Sequence, residues 1–349
     1  MYRILASIGG PGLGDFVIRL LNAAAYKLSF PAAHLTCYTR PRSNAAVQSL
    51  WLFPWIDHLF TAPPNALPLD VLIDAHWNET RAVGEDVRRI IEQTSMVLLQ
   101  GMMVDQRHVL DRALLRVPDG AAETAEAQLR QLGLDPGGWY ACLHAREDAY
   151  RGGTNHPRSV RDLGPYVEAA RHVIRRQGGQ VVRLGDPAMR PFPRMDGLVD
   201  LSVFPQSLVL QCAALARARY MLGSDSGPNV LARGAACLPR EHVVATKKLR
   251  LDDGRSVSDR EAVETLNVAQ ECFWWGRQDR LVENSAEELV RMCDWLFERT
   301  AHLPPWPVRR LAEPVRGPVG WDRFGLTHFP LTYLSELPVA GGVPAAASG

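Results

Sequence analysis

Short apolar runs alternate with longer amphipathic stretches over most of the 349-residue chain. The apolar runs have the length of strands that are buried on both faces. In the stretches between them, apolar residues recur with the spacing of a helix. This alternation is typical of parallel sheets covered by helices, so it predicts an α/β fold. In the first half the predicted strands are Tyr2 to Ile8, Leu35 to Thr39, Val71 to Asp74 and Met96 to Leu99. The predicted helices there are Phe16 to Phe30, Ser43 to Leu50, Gly84 to Gln93 and Ala121 to Leu132.

A turn cluster, Asp135-Pro136-Gly137-Gly138, is the best candidate for a domain boundary. A second alternating series follows it, and a chain of this length exceeds what one hydrophobic core usually supports. We therefore predict a first Rossmann-like domain at residues 1–134, a second at 135–303 and a proline-rich tail at 304–349 that packs back onto the first. The second series predicts strands at Tyr140 to His144, Val181 to Leu184 and Tyr220 to Gly223. Its predicted helices are Leu163 to Gln177, Gln206 to Arg217, Asn229 to Gly234 and, behind the capping box at Ser285, a helix that ends near Thr300.

Composition narrows the class of protein. The chain is 46% hydrophobic and 22% charged with a formal net charge of +1, which is ordinary for a globular protein and argues against a nucleic-acid partner. No apolar run approaches the ~20 residues that span a bilayer, and the first apolar run is too short for a signal peptide. The six cysteines show no zinc-binding spacing. We expect a cytoplasmic protein without a membrane span.

The stretch "SIGGPGLGDF", from Ser7 to Phe16, resembles a phosphate-binding loop but lacks its key residues. A dinucleotide fingerprint would need a third glycine where Asp15 stands, and a nucleotide-hydrolase loop would need lysine there. A carboxylate repels phosphate, so this loop is not predicted to bind it. Asp15 is either a functional carboxylate or the N-cap of a helix that begins at Phe16.

Two loops in the second half are suited to anions. Arg146 follows one predicted strand, where its guanidinium could bind two phosphate oxygens or pair with Glu147 or Asp148 at the surface. The next loop, "GSDSGPN", places hydroxyls and glycine amides at a helix N-terminus, which suits a phosphate group or is a plain capped turn. Together the loops predict a diphosphate site. Its predicted diphosphate ligands are Arg146, Ser224, Asp225, Ser226, Gly227 and Asn229.

The segments "HAREDAY", "HPRSVRDLGPY", "GGQVVRLGDPAMRPFP" and "YMLGSDSGPN" resemble a group of bacterial glycosyltransferases. That group is similar to the bacterial heptosyltransferases and, through the His-x-Arg element, to the GDP-sugar fucosyltransferases. The resemblance covers residues 141–234 well, and "GLGDF" extends it to the first half. It implies the GT-B fold, in which two Rossmann-like domains face each other across a cleft and the second binds a nucleotide sugar.

The resemblance also implies roles for individual residues. Asp15 would be the catalytic base, on an acceptor loop that includes Gly12 and Gly14, and Arg146 would neutralise the leaving diphosphate. The chain departs from the family where Ser159 replaces an asparagine and where Asn229 stands in place of a histidine. The predicted nucleotide pocket contains His144, Arg158, Gly185 and Asp186, although His144 is equally a packed histidine and Asp186 a turn residue.

The expected activity is transfer of a hexosyl, heptosyl or deoxyhexosyl group from a nucleoside-diphosphate sugar to a small-molecule or glycan acceptor. The resemblance implies an inverting reaction. No D-x-D pair lies near the phosphate motifs, so we expect no dedicated metal and no cofactor besides the nucleotide-sugar co-substrate. Two alternatives stay open: a nucleotide-sugar epimerase or isomerase of the same fold, and a non-catalytic nucleotide-sugar-binding protein. The sequence does not identify the sugar, the nucleobase, the acceptor or the oligomeric state.

Overall fold

The computed structural model describes residues 2–9, 12–40, 44–63, 65–99, 112–147, 159–203, 208–224, 226–242, 248–250, 256–258, 273–274 and 285–313. Two of the predicted site residues, Arg158 and Asp225, lie outside these ranges. Within them, no helix is both long enough and apolar enough to cross a bilayer.

The first half folds around a four-stranded parallel sheet with the strand order β3-β2-β1-β4. Apolar residues of the central strand β1 are buried on both faces, as its continuous apolar sequence predicts. The strands are β1 Arg3–Ile8, β2 His34–Thr39, β3 His58–Thr61 and β4 Met96–Leu98. The helices of this half are α1 Leu13–Ser29, α2 Asn44–Leu50, α3 Leu69–Trp77, α4 Glu85–Glu92 and α5 Asp119–Gln131.

The second half folds around a six-stranded parallel sheet with the order β12-β9-β8-β5-β6-β7. Its strands are β5 Tyr140–His144, β6 Gln180–Arg183, β7 Leu198–Asp200, β8 Tyr220–Ser224, β9 Leu238–His242 and β12 Phe273–Trp274. A separate antiparallel pair consists of β10 Lys248–Arg250 and β11 Ser256–Ser258. The helices are α6 Gly164–Arg175, α7 Leu208–Arg217, α8 Gly227–Gly234 and α9 Ala286–Thr300.

One predicted strand is wrong. Residues 71–74 lie inside helix α3, where Leu69, Leu72 and Ile73 are buried at positions i, i+3 and i+4. That spacing is helical, and the short run Val71 to Ile73 concealed it. The strand in this region is β3, which the apolar pattern missed because it is a half-exposed edge strand. By contrast, the capping box at Ser285 is confirmed, since the Ser285 side chain accepts a hydrogen bond from the Glu288 N–H.

The described chain places no strand in both sheets. The predicted domain limits stay a prediction, and the described start of the predicted tail contacts both halves. Ala113 forms a parallel β-bridge with Leu311, while the Arg309 guanidinium donates to the carbonyl oxygens of Ala216 and Ala218.

Helices α1 and α8 join the two halves as a parallel pair. A Cβ at Gly14 would lie 3.2 Å from the Gly227 Cα, and a Cβ at Gly234 would lie 3.1 Å from the Leu21 side chain. The second contact lies seven residues, or about two helical turns, after the first on both helices. The two helices therefore run side by side in the same direction, and their N-termini lie at the same end.

We expect Gly14→Ala to lower the free energy of unfolding by about 1–3 kcal/mol, because its methyl group meets backbone atoms of Gly227 that cannot rotate away. Urea denaturation measures the change. The matched control is Gly120→Ala in α5, where an added Cβ has nothing within 4 Å and alanine favours the helix. Equal stability changes in the two variants would show that the helix pair tolerates separation.

Candidate functional site

The carboxyl ends of β5 and β8 bring the two predicted anion loops together. The strands are parallel neighbours, with His144 opposite Gly223. The Arg146 N–H donates to Ser224 Oγ at 2.7 Å, and the Val160 N–H donates to the Arg146 carbonyl oxygen at 2.7 Å. The backbone of Arg146 is thus fixed from both sides, with its side chain half-buried at the edge where ligands of parallel sheets bind.

An ion-pair network centred on the buried Arg183 and Glu147 begins at the residue after Arg146. Glu147 Oε1 accepts from Arg183 Nη2 at 3.0 Å, and its Oε2 accepts from Arg190 Nε at 2.6 Å. The fully buried Arg183 also donates to Asp200 Oδ2 at 3.0 Å. Glu147 is therefore an interior residue and not the surface partner that the sequence left open for Arg146. Sequence reasoning missed this network, although an arginine ending the apolar run "QVVR" was a signal for it.

His144 is buried beneath the site. Its Nδ1 lies 3.1 Å from the Leu184 carbonyl oxygen, which can only accept, so Nδ1 carries the proton. Burial lowers the pKa of His144 to about 4, and the positive charges of Arg183 and Arg146 act in the same direction. The imidazole is consequently neutral at pH 7. His144 is the packed histidine that the sequence offered as an alternative to a pocket residue.

Ser224 and Asn229 shape the phosphate-type loop from behind. Both are buried, and Asn229 Nδ2 donates to the Ser224 carbonyl oxygen at 2.7 Å. The same amide lies over Gly223, where an added Cβ would be 2.6 Å from Asn229 Oδ1. Ser226 and Gly227 are partly buried, and Ser226 is the N-cap of α8. The structure therefore places Ser226 and Gly227 on a loop that Asn229 braces, with the Ser226 hydroxyl shielded from solvent.

Gly185 and Asp186 follow β6 at the same sheet edge. Gly185 is buried, and a Cβ there would lie 2.8 Å from the Ser202 Cβ, so only glycine fits without rearrangement. Asp186 Oδ1 accepts from the Ala188 N–H at 3.0 Å, which closes a local turn. Asp186 thus has the turn role that the sequence left open.

Asp15 is an exposed residue in the first turn of α1. The helix begins at Leu13 and Gly12 is its N-cap, so the predicted N-cap role of Asp15 for a helix from Phe16 is wrong. Its carboxylate instead reaches back and accepts the Gly12 N–H at 3.2 Å. This contact is half of a capping box, because glycine has no side chain to complete the other half.

The N-termini of α1 and α8 create a joint positive region. Each helix end leaves amide N–H groups without helical partners and carries a partial positive charge. The contact between Gly14 and Gly227 holds these ends side by side, with Asp15 on one and Ser226 on the other. The arrangement can bind an anion at the α8 loop and place a carboxylate beside it.

Solved structures resemble the chain in fold. One is the glycosyl transferase family 9 protein from Veillonella parvula, with a TM-score of 0.53, 12% identity and coverage of 85% of this chain and 97% of that one. Another is the ADP-heptose LPS heptosyltransferase II of E. coli, with a TM-score of 0.52, 10% identity and coverage of 86% and 100%. No protein-family model and no curated protein matches the sequence. The predicted GT-B fold of two Rossmann-like domains is confirmed.

Proposed function

We propose that the protein is an inverting, metal-independent glycosyltransferase that moves a sugar from a nucleoside-diphosphate sugar to an acceptor hydroxyl. The observation that carries the proposal is the parallel α1–α8 pair, which sets the Asp15 carboxylate beside an anion-suited loop. The names of the two similar structures, a family 9 glycosyl transferase and an ADP-heptose heptosyltransferase, support the same reaction class.

In the proposed reaction, Asp15 takes the proton of the acceptor hydroxyl as its oxygen attacks the anomeric carbon. The new C–O bond forms as the bond from that carbon to the diphosphate oxygen breaks, so one displacement inverts the anomeric centre. Arg146 and the amides at the N-terminus of α8 stabilise the negative charge that develops on the leaving diphosphate. This charge stabilisation takes the place of a metal ion.

The ion-pair network around Arg183 fits this role for Arg146. Two arginines and two carboxylates, Arg183, Arg190, Glu147 and Asp200, neutralise one another within the network. The network therefore balances its own charges without Arg146, whose positive charge lies on the side where the strands end. A diphosphate is the group in the proposed donor whose charge it complements.

A two-stage experiment tests the function. Thermal shifts with UDP, GDP, ADP and dTDP identify the nucleotide, because a ligand that binds only the folded state raises its melting temperature. Product analysis with the matching nucleotide sugars follows. Release of nucleoside diphosphate mainly in the presence of an acceptor supports sugar transfer. A changed sugar that is still joined to the nucleotide indicates an epimerase. Binding without turnover indicates a non-catalytic binding protein.

We expect Arg146→Ala to weaken binding of the preferred nucleoside diphosphate by roughly tenfold or more, the scale of a lost charged hydrogen-bonding partner. Isothermal titration calorimetry measures the affinity. Arg116→Ala is the control, since Arg116 is half-exposed and pairs with Asp119 on the surface at 2.8 Å. Unchanged affinity in Arg146→Ala would remove this residue from the donor site.

A further inference from the structure

A small recess lies beside α1 at the carboxyl ends of β1 and β4. It has a volume of about 10 Å³, enough for one water-sized group. Its polar lining comes from Ser7, Arg19 and Asn22, and its apolar wall includes Ile8 and Leu98. Ligands of parallel sheets bind at such strand ends.

Arg19 brings a positive charge to this recess. Its Nη1 is shielded from solvent, and the described chain offers it no hydrogen-bond acceptor. Burial lowers the pKa of Arg19, while the negative charge of Asp15 opposes that change. Buried donors of this kind are normally paired, and an unpaired one is costly. The recess therefore contains a cationic N–H donor to which the described chain supplies no hydrogen-bond acceptor.

The recess is placed for the acceptor and not for the donor. Arg19 follows Asp15 by one helical turn on the same helix, about 6 Å along its axis. The loops that suit the diphosphate follow β5 and β8 in the other sheet. A molecule whose hydroxyl meets Asp15 can therefore extend a second group along α1 toward Arg19.

We propose that this recess binds one oxygen of a carboxylate or phosphate group on the acceptor, and that Arg19 selects acceptors carrying such a group. The assignment of the ligand as acceptor rests on the proposed function, whereas the anion site itself does not. A guanidinium binds either oxyanion through directed, charge-assisted hydrogen bonds. The size of the recess admits a single oxygen, with the rest of the group outside.

Small anions test the site without knowledge of the acceptor. Acetate and acetamide have the same shape and differ in charge, and inorganic phosphate is the second anion. Melting temperatures are recorded against the concentration of each probe, at constant ionic strength, for wild type, Arg19→Gln and the control Arg88→Gln. Arg88 is half-exposed on α4, far along the chain from the recess.

We expect wild type and Arg88→Gln to bind acetate or phosphate about tenfold more tightly than Arg19→Gln, and to prefer acetate to acetamide. The anion that shows the larger difference identifies a carboxylate or a phosphate as the ligand. Equal responses of wild type and Arg19→Gln would overturn the proposal, because the recess would then hold only water.

Two further measurements keep the test decisive. If Arg19→Gln does not fold, Arg19→Lys takes its place, because lysine retains the charge and should retain part of the anion response. A wild-type protein that shows no preference for acetate over acetamide would also overturn the site. Failure of the proposed function is distinguishable, because anion binding at Arg19 does not depend on turnover. Anion binding without any sugar transfer would leave the site in place and remove its assignment to an acceptor.

Discussion

Replacing Asp15 with asparagine is expected to reduce sugar transfer by about 100-fold to 10,000-fold while the fold and donor binding are retained. The amide oxygen of asparagine can still accept the Gly12 N–H that the carboxylate accepts at 3.2 Å, so the start of α1 keeps its hydrogen bond. The amide cannot take a proton from a hydroxyl. The substitution therefore removes the proposed base and leaves the helix contact.

Initial rates with saturating donor, together with calorimetric donor affinity, measure this effect. Asp119→Asn provides the matched control, because Asp119 is also an exposed acid in the first turn of a helix. It tests the loss of a favourable helix-dipole charge, expected to cost about 0.3–1 kcal/mol of stability and no activity. Near-normal transfer by Asp15→Asn would mean that Asp15 only holds its helix start, and another base would have to be found.

The second large effect is expected from Arg183→Met, which should lower the free energy of unfolding by about 3–5 kcal/mol. Methionine fills a similar volume but leaves Glu147 and Asp200 without their shared buried partner, whose distances are 3.0 Å to each carboxylate. The side chains of Arg183 and Glu147 are 0% and 3% exposed, so water cannot easily replace the lost hydrogen bonds.

Urea denaturation of Arg183→Met and of the control Arg89→Met measures this loss. Arg89 pairs with Glu85 at 3.2 Å on the surface of α4, where both side chains are more than half exposed. Such surface pairs contribute about 0.3–0.5 kcal/mol. A similar small loss in both variants would show that the buried carboxylates find other partners when Arg183 is removed.

The central strands β1, β2, β5 and β8 could be predicted from the sequence because their burial on both faces produces continuous apolar runs, whereas β9, with the polar sequence LPREH, was missed. β5 was predicted with its observed limits, and β8 within one residue. The edge strand β4 was also predicted, because Val97 and Leu98 are buried, whereas the exposed edge strand β3 carries no such signal. That is why β3 was missed and why a short apolar run in α3 was mistaken for a strand.

The candidate site was predictable only in part, for a related reason. The two anion loops were predicted to form one diphosphate site, and the Arg146 N–H does donate to Ser224 Oγ. The partners of Glu147 depend on β6 lying beside β5, and strand order is not written in local sequence. The recess at Arg19 likewise depends on how α1 packs against β1 and β4.

The glycine contact between α1 and α8 also constrains how the two sheets can move. Gly14 and Gly227 have no side chains that could act as a spacer, so a rotation of one sheet against the other keeps their contact only if it turns near it. Such a rotation must also strain the hydrogen bonds of Gln48 with Leu208 and of Glu126 with Arg217. Points near a pivot move little while distant points move far. Asp15 and the loop at Ser226 would therefore keep nearly the same separation in such a rotation.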